Sequence, residues 1–211
     1  MSRRLPVYLL LDCSGSMSGE PIEAVRQGIK ALLSELRTDP MALETAHLSV
    51  ITFESTAHQA IPLTDLMSFK EPTIRAGGST SMGAALQLLE QCLKKEVRKS
   101  SPTQKGDWKP LVFLMTDGMP TDRWQQAADR LQKQRTGNII ACAAGSSADE
   151  QLLKRITEIV VKLDNLQPDT LKAFFQWVSS SIQATSNSVV QVMEDAPVDL
   201  PPPPPQIAIV P

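Results

Sequence analysis

Apolar residues near the start of the chain follow two periodicities in turn. Leu5 to Leu11 is a continuous run of apolar, strand-forming residues, which is typical of a β-strand buried on both faces. From Pro21 onward, apolar side chains recur at helical spacing, at Ile22, Val25, Ile29, Leu32, Leu33 and Leu36. Pro21 suits a first helical turn, where the backbone N–H groups have no partner within the helix. The pattern predicts a central strand, a loop and a helix.

The same alternation repeats along the chain. Further strands are predicted at Leu48–Phe53, Leu111–Met115, Ile139–Ala144 and Ile159–Leu163, with a short edge strand at His58–Leu63. Helices are predicted at Ser81–Val97, Trp124–Leu131, Leu152–Ile156 and Leu171–Ile182. Strands that alternate with helices form a mostly parallel sheet covered on both faces. The prediction is a doubly wound, Rossmann-like α/β fold whose central sheet has one antiparallel edge strand.

The C-terminal segment differs in character from the rest of the chain. We predict one domain over residues 1–185 and a proline-rich tail over residues 186–211. Pro201–Pro205 is expected to form a stiff polyproline II rod. Two interpretations of the tail remain open. It is either a mobile, loosely draped segment, or a docking peptide whose Ile207, Ile209 and Val210 cover the sheet edge or contact a partner.

Composition and charge narrow the class of protein. Apolar residues make up 42% of the chain and charged residues 21%, as in ordinary globular domains. A net charge of -2 and a pI of about 5.7, without a dense Lys/Arg cluster, predict no binding of nucleic acid. The mixed charges from Lys94 to Lys99 are expected to form the solvated end of a helix.

The cysteines and the N-terminus bear on the compartment. Cys13, Cys92 and Cys142 are odd in number and far apart, so they predict neither a disulfide framework nor a zinc site. The apolar run that begins at Leu5 ends at Asp12, which is too early for a signal peptide. No run approaches the roughly 20 apolar residues of a membrane span. We therefore expect a cytoplasmic location without membrane association.

Polar residues follow the first predicted strand at every second position. Asp12, Ser14 and Ser16 stand there, and Gly15 permits the tight backbone of such a turn. In doubly wound folds, ligands bind beyond the carboxyl ends of the strands. One carboxylate and two hydroxyls can therefore converge in a candidate binding loop.

Two further loops add oxygen ligands at the same predicted edge. Thr80 follows Gly77-Gly78 before a predicted helix, and Asp117 follows a predicted strand. Oxygen ligands without His or Cys are hard, and they select magnesium, with manganese or calcium also possible, over zinc or copper. The sequence therefore predicts a divalent metal site, preferably for Mg²⁺, formed by Asp12, Ser14, Ser16, Thr80 and Asp117.

These loops resemble the metal-ion-dependent adhesion site of von Willebrand factor A domains. That site combines an Asp-x-Ser-x-Ser motif, a distal Thr and an Asp in a Thr-Asp-Gly turn, and the order, strand context and spacing agree over about residues 5–185. The resemblance implies that Ser14, Ser16 and Thr80 contact the metal directly or nearly so. It implies that Asp12 and Asp117 often act through water.

A narrower resemblance concerns the amino-acid sequence in and around the first loop. Val7–Met17 and Gly19–Ile22 look like the bacterial tellurite resistance protein Y group. Members of that group are associated with tellurium-resistance and stress systems alongside kinase and phosphatase partners, so the resemblance implies a regulatory scaffold. Some relatives carry a C-terminal metal ribbon, whereas this chain lacks the cysteines for one and ends in prolines.

The composition of the candidate site predicts binding rather than turnover. Two carboxylates and three hydroxyls leave at least one metal position open, which an Asp or Glu of a protein partner can fill. We expect a non-enzymatic, metal-dependent protein-binding module. A metal-dependent phosphate-handling enzyme is the alternative, although aspartyl-phosphate enzymes need a second carboxylate where Ser14 stands. A calcium EF-hand loop starting at Asp12 would need glycine where Met17 stands.

Other residues near these loops are expected to have structural roles. Ser79 and Ser81 are predicted to cap the helix that follows them, and Asp122 is predicted to be an N-terminal cap before the next helical pattern. Cys13 and Trp124 are predicted to fill space in the interior. The isolated His47 and His58 are expected to be structural or exposed.

Overall fold

A seven-stranded sheet forms the centre of the computed structural model, which describes residues 3–192 and 200–211. Its strands are β1 (Leu5–Asp12), β2 (Ala46–Phe53), β3 (Ala57–Asp65), β4 (Leu111–Thr116), β5 (Asn138–Ala144), β6 (Ile159–Leu163) and β7 (Ile207–Ile209). Their order across the sheet is β3-β2-β1-β4-β5-β6-β7. The strands from β2 to β6 in this order pair in parallel, whereas β3 and β7 pair antiparallel at the two edges. The predicted fold class is confirmed, and β7 adds a second antiparallel edge strand.

Strand β1 lies inside the sheet, between β2 and β4, and is covered on both faces. All eight of its residues are buried. Leu9 and Leu11 face one core layer, whereas Tyr8 and Leu10 face the other. Because neither face meets water, a run without polar alternation suits this position. The continuous apolar run in the sequence therefore marks an interior strand of the sheet.

Helices cover both faces of the sheet. They are α1 (Glu20–Leu36), α2 (Pro40–Thr45), α3 (Met82–Glu96), α4 (Gln125–Gln134), α5 (Glu150–Lys154) and α6 (Pro168–Val192). The buried sides of α1 and α6 share one core layer, and those of α3, α4 and α5 share the other. Helices α1 and α6 approach closely at Gly28, where an added Cβ would overlap the Phe175 ring. Gly28 is therefore required for the packing of this helix pair.

Helix α2 was not predicted from periodicity, because its six residues are too few to show one. The signal that the sequence does carry is the pair Asp39-Pro40. The Asp39 carboxylate accepts a hydrogen bond from the Ala42 N–H at 2.7 Å, and Pro40 occupies the first turn.

Helix α6 is longer than predicted. It continues to Val192, so the predicted boundary between residues 185 and 186 falls inside the helix. Ser186 and Val189 lie beyond that boundary and are still buried against the domain. The helix therefore continues because its packing continues, although its sequence has become rich in Ser, Thr and Asn.

The described end of the tail packs against the domain. Strand β7 pairs with β6, and Ile207 is buried. The indole N–H of Trp177 donates a hydrogen bond to the Pro201 carbonyl at 2.9 Å. For these residues the interpretation as a segment that covers the sheet edge is confirmed, and the loosely draped tail is wrong. The acidic residues before the prolines lie outside the described residues.

The parallel strands set the polarity of the molecule. Strands β1, β2 and β4 all end at one edge of the sheet, from here on called the carboxyl edge. The loops after these strands therefore meet there, as expected for a doubly wound sheet. Within the described residues, no helix has the length and apolar character that crossing a membrane requires.

Candidate metal centre

Two buried carboxylates leave neighbouring strands at the carboxyl edge. Asp12 is the last residue of β1, and Asp117 directly follows β4, which pairs with β1 in parallel. Their exposed fractions are 0% for Asp12 and 4% for Asp117. The structure therefore brings together the two acidic residues that the sequence assigns to the site.

Asp12 organises the turn that follows it. One carboxylate oxygen accepts a hydrogen bond from the Ser14 backbone N–H at 2.8 Å. The other accepts one from the Thr116 hydroxyl at 2.6 Å. Sequence reasoning did not identify Thr116, since its contact with Asp12 joins two strands that are 104 residues apart in the chain. Both oxygens are thereby fixed before any ligand binds.

The two serines of the first loop connect the two strands. The Ser14 and Ser16 hydroxyl oxygens lie 3.0 Å apart, and the Ser16 hydroxyl donates to the Asp117 carboxylate at 2.8 Å. Ser14 is buried, whereas Ser16 is exposed in a short 3-10 turn over Gly15–Met17. Four of the five predicted ligands therefore form one continuous cluster with an open side.

The electrostatics of this cluster favour a cation. Burial raises the pKa of Asp117, the hydrogen bond from Ser16 lowers it, and the nearby Asp12 raises it further. In the part of the chain that the structure describes, neither carboxylate forms an ion pair with a lysine, arginine or histidine. Two buried acidic groups thus lie close together without a cationic partner, which is costly unless a cation is bound.

The loop that carries Thr80 is held against the first loop by its backbone. The Gly15 N–H donates to the Gly78 carbonyl at 3.1 Å, and the Gly77 N–H donates to the Cys13 carbonyl at 2.9 Å. Gly78 has a φ of +71°, and a side chain there would collide with residues 54 and 55. Gly78 is therefore needed for the approach that places Thr80.

Thr80 lies beside the Asp117 loop. Its N–H donates to the Thr121 hydroxyl at 3.2 Å, and its carbonyl accepts from the Thr121 N–H at 2.9 Å. A Cβ added to Gly118 would be 3.7 Å from the Thr80 hydroxyl oxygen. Among the described residues, no hydrogen bond is formed by this hydroxyl, so its oxygen is available to a ligand.

The cap of helix α3 corrects two predictions. Ser81 occupies the N-cap position, but its hydroxyl donates to the Ser55 carbonyl at 2.9 Å instead of capping the helix. The two oxygens of Asp122 accept the N–H groups of Gly83 and Ala84, each at 2.8 Å. Asp122 is therefore a helix cap as predicted, but it caps α3 rather than the helix that follows it in sequence.

Cys13 and Trp124 have the interior positions that the sequence predicts. Burial, followed by the proximity of Asp12, raises the pKa of the Cys13 thiol to about 12, so this cysteine is not a reactive thiolate. Trp124 is 7% exposed and stacks near the Arg155 guanidinium. Neither side chain is placed as a ligand.

The oxygen–oxygen distances within the cluster can be compared with those between neighbouring ligands of a bound cation. Neighbouring ligands of an octahedral Mg²⁺, with bonds of about 2.0–2.1 Å, lie about 2.9 Å apart; for Ca²⁺, with bonds of about 2.4 Å, this separation is about 3.4 Å. The Ser14–Ser16 and Ser16–Asp117 oxygen separations are 3.0 and 2.8 Å. These two separations are those of ordinary O–H···O hydrogen bonds and are compatible with a cation of the size of Mg²⁺ or Mn²⁺; the oxygen-only donor set is what indicates a hard cation. Among the described residues, no group of three or more His, Cys, Asp or Glu side chains could hold a metal ion, so the hydroxyls are essential to this centre.

Comparison with known proteins places this architecture among characterised folds. A von Willebrand factor A domain-containing protein of Dictyostelium discoideum is 26% identical over 152 residues, which cover 68% of this chain and 15% of that protein. The chain thus spans only a small part of this relative. An uncharacterised protein of Synechocystis is 32% identical over 125 residues, covering 55% of this chain and 26% of its own length.

Solved structures show the same fold. A von Willebrand factor type A structure from Catenulispora acidiphila has a TM-score of 0.66 at 19% identity, covering 86% of this chain and 43% of that one. The proximal thread matrix protein 1 of the mussel byssus, in a structure whose metal-ion-dependent adhesion motif is described as occupied by zinc, has a TM-score of 0.62 at 18% identity, covering 85% and 48%. The family model for the von Willebrand factor type A domain matches residues 7–175, and the chain therefore belongs to that family.

Proposed function

We propose that the chain is a divalent-metal-dependent protein-binding module. In this proposal Asp12, Ser14, Ser16, Thr80 and Asp117 hold the cation, and an Asp or Glu of a partner protein completes its coordination. The single observation that carries the proposal is the cluster at the carboxyl edge, where the Ser14, Ser16 and Asp117 side chains form a chain of hydrogen bonds beside the buried Asp12. Members of this family commonly act as interaction modules of this kind.

The accessible side of the cluster supports capture of a partner. Ser16 is exposed at the carboxyl edge, and Met119, two residues after Asp117, is 53% exposed. A partner carboxylate can therefore approach the cation from solvent and displace a water molecule, while Met119 offers an apolar contact beside it. When bound, the cation supplies the attraction for that carboxylate, and the chain supplies the orientation of its ligands.

Mg²⁺ is the metal that we propose, with Mn²⁺ as a close substitute and Ca²⁺ as a weaker one. The oxygen-only ligand set supports a hard cation of this group. Zinc is included in the tests because it is named for the motif of the mussel relative.

Thermal unfolding in the presence of each metal tests the proposal. A ligand that binds only the folded state raises Tm, so we expect Mg²⁺ to raise the Tm of the metal-stripped wild type. Ser16→Ala should lose this rise. Ser18→Ala, at an exposed position two residues away, should keep it. A rise that persists in Ser16→Ala would contradict the assignment of this ligand.

We propose that the module has no enzymatic activity of its own. Ser14 stands where an aspartyl-phosphate enzyme needs a second carboxylate to assist the first, and the Cys13 thiol is buried with a raised pKa. Turnover of p-nitrophenyl phosphate that depends on Mg²⁺ and is lost in Asp12→Ala would establish the alternative, a phosphate-handling enzyme.

The partners proposed here include a kinase and a phosphatase of a bacterial tellurite-resistance or stress-response system in the cytoplasm. The support is the likeness of Val7–Met17 and Gly19–Ile22 to the tellurite resistance protein Y group. Survival on tellurite of a host strain that carries either the wild type or Asp12→Ala tests this role. Equal survival of the two strains would show that the metal site has no role in tellurite resistance.

A further inference from the structure

The edge of the sheet opposite the metal centre carries three depressions, each lined by two cationic side chains. The first lies between the C-terminal ends of α3 and α4, the second lies beside Arg3 just before β1, and the third lies where β5 and β6 begin; their cavity volumes are about 280, 560 and 330 Å³. Their cationic pairs are Lys94 with Lys99, Arg3 with Lys105, and Lys109 with Arg135. We call these six residues the basic face. The basic face is not apparent in the sequence, because its residues come from separate segments.

A rigid loop, residues 98–107, holds the centre of the basic face. Asp107 accepts hydrogen bonds from the Arg4 guanidinium at 2.6 and 3.0 Å and from the Arg98 N–H at 2.8 Å. The Gly106 N–H donates to the Ser100 hydroxyl at 3.0 Å. The loop is therefore fixed by internal contacts, and Lys99 and Lys105 project from a defined backbone.

The carboxylates nearest to this face have partners within the chain. Glu90 forms ion pairs with Lys94 and Arg130, and the pKa of its carboxyl is held at about 2 by the hydrogen bonds from these side chains. Glu96 accepts from the Tyr8 hydroxyl at 2.9 Å, and Asp107 pairs with Arg4. The remaining acidic residue that lines a depression is the exposed Glu158.

Three cations of the face have no such partner. In the part of the chain that the structure describes, Lys99, Lys105 and Arg135 form no ion pair with a carboxylate. All three are exposed. The face is therefore positive in a chain whose net charge is -2. Such a local field attracts anionic partners and speeds their association.

Arg135 provides a second indication. Among the described residues other than glycine, it alone has a positive φ, of 46°. It follows α4 in the left-handed conformation that usually selects glycine, because a Cβ is strained there. An arginine in this position keeps a guanidinium at the third depression despite the strain, and strained residues of this kind concentrate at functional sites.

We propose that the basic face is a second binding surface, for an acidic segment of a protein partner, and that it acts without metal. Each of the three depressions offers two cationic side chains, and the three lie along one edge. Together they can bind an extended chain that carries several carboxylates. The Trp108 ring is 5% exposed and lies under Arg3, so it offers no platform for stacking nucleic acid bases. The exposed large apolar residues Met67, Met119 and Ile209 are not part of the face, which disfavours insertion into lipid.

Fluorescence anisotropy with a labelled oligoglutamate peptide tests this surface on the full chain. EDTA is present throughout, so the metal centre does not contribute. We expect saturable binding that weakens as salt is added. Lys99→Glu with Lys105→Glu should weaken it at least about tenfold, which corresponds to about 1.4 kcal/mol. Lys30→Glu with Lys172→Glu makes the same change of charge at exposed positions of α1 and α6 and should leave the affinity within about twofold of the wild type.

The outcomes are separable from those for the metal centre. Asp12→Ala should bind the peptide as the wild type does, so a failure of the proposed metal site leaves this result unchanged. Equal weakening by both double variants, or no binding of the peptide, would overturn the proposal. Tighter binding of phosphatidylserine vesicles or of a single-stranded oligonucleotide than of the peptide would also overturn it, and would assign the face to that other class of partner.

Discussion

Removing the Asp122 carboxylate should loosen the loop that carries Thr80 without removing a proposed ligand. Its two oxygens accept the N–H groups of Gly83 and Ala84 at 2.8 Å each. A side-chain cap contributes about 0.5–2 kcal/mol, and a negative charge at a helix N-terminus adds about 0.3–1 kcal/mol. We therefore expect Asp122→Ala to lower the free energy of unfolding by about 2 kcal/mol. Asp122→Asn keeps one acceptor oxygen and should lower it by about 1 kcal/mol.

The same substitution should weaken the metal centre indirectly. Thr121 precedes Asp122 and forms two hydrogen bonds with the Thr80 backbone, one to its N–H and one to its carbonyl. When Asp122 no longer holds the first turn of α3, Thr80 loses its fixed position. Loss of a residue that supports a metal ligand costs about 10–100-fold in metal affinity, and we expect about tenfold for Mg²⁺ in Asp122→Ala.

Urea unfolding and calorimetric titration with Mg²⁺ measure the two effects of Asp122→Ala separately. Asp149→Ala is the matched control, because Asp149 caps α5 by accepting from the Gln151 and Leu152 N–H groups and no proposed ligand lies next to α5. The control should lose a similar amount of stability and keep its Mg²⁺ affinity. If Asp122→Ala were as stable as the wild type, or if both variants bound Mg²⁺ equally, the reasoning would be refuted.

Three further substitutions test the packing and the electrostatics of the fold. Gly28→Ala should destabilise the protein by about 2–3 kcal/mol, although alanine favours a helix by about 1 kcal/mol, because the new methyl group overlaps the buried Phe175 ring. Gly77→Ala, where an added Cβ meets nothing within 4 Å, is its control in urea unfolding and should be near neutral. The pKa of Glu90 is lowered from 4.5 to about 2. The Glu90 carboxylate therefore contributes fully to the free energy of unfolding above pH 4.5, and this contribution is lost as the pH falls from 4.5 towards 2. The stability difference between wild type and Glu90→Gln should therefore be present at neutral pH and shrink over that window, and a pH-independent difference would contradict this. Ile207→Asp places a charge at a buried position of β7 and should speed amide hydrogen exchange in β6, whereas aspartate at the exposed position two residues later should not.

Burial on two faces explains why so much of the fold could be predicted. Central parallel strands such as β1 and β4 have no polar alternation, so they stand out as continuous apolar runs. The first loop of the candidate site was equally easy to predict, because Asp12, Ser14 and Ser16 are close together in sequence. Asp117 could be added because it follows a strand parallel to β1, whereas Thr80 could be added only from its glycine-rich loop before a predicted helix, since β3 runs antiparallel and ends at the other edge.

Contacts between distant segments explain what the sequence did not show. Asp122 caps α3 although it precedes α4, since the choice of helix depends on which backbone lies within reach in three dimensions. Thr116 supports Asp12 across two strands, and the basic face joins Lys105 to Arg135 only after folding. The pairing of Ile207 with β6 could be offered from sequence only as one of two alternatives, because nothing local fixes where a tail docks.

A calorimetric titration of the metal-stripped protein with Mg²⁺ and with Mn²⁺, alongside Asp12→Ala, tests the central claim most directly. Asp12 fixes the Ser14 backbone and contributes a carboxylate. The variant should therefore lose one proposed metal ligand and the turn that positions Ser14. The account predicts saturable binding at one site in the wild type and none in a folded Asp12→Ala variant. Absence of binding in the wild type, or undiminished binding in the variant, would contradict the assignment of this cluster as a metal centre.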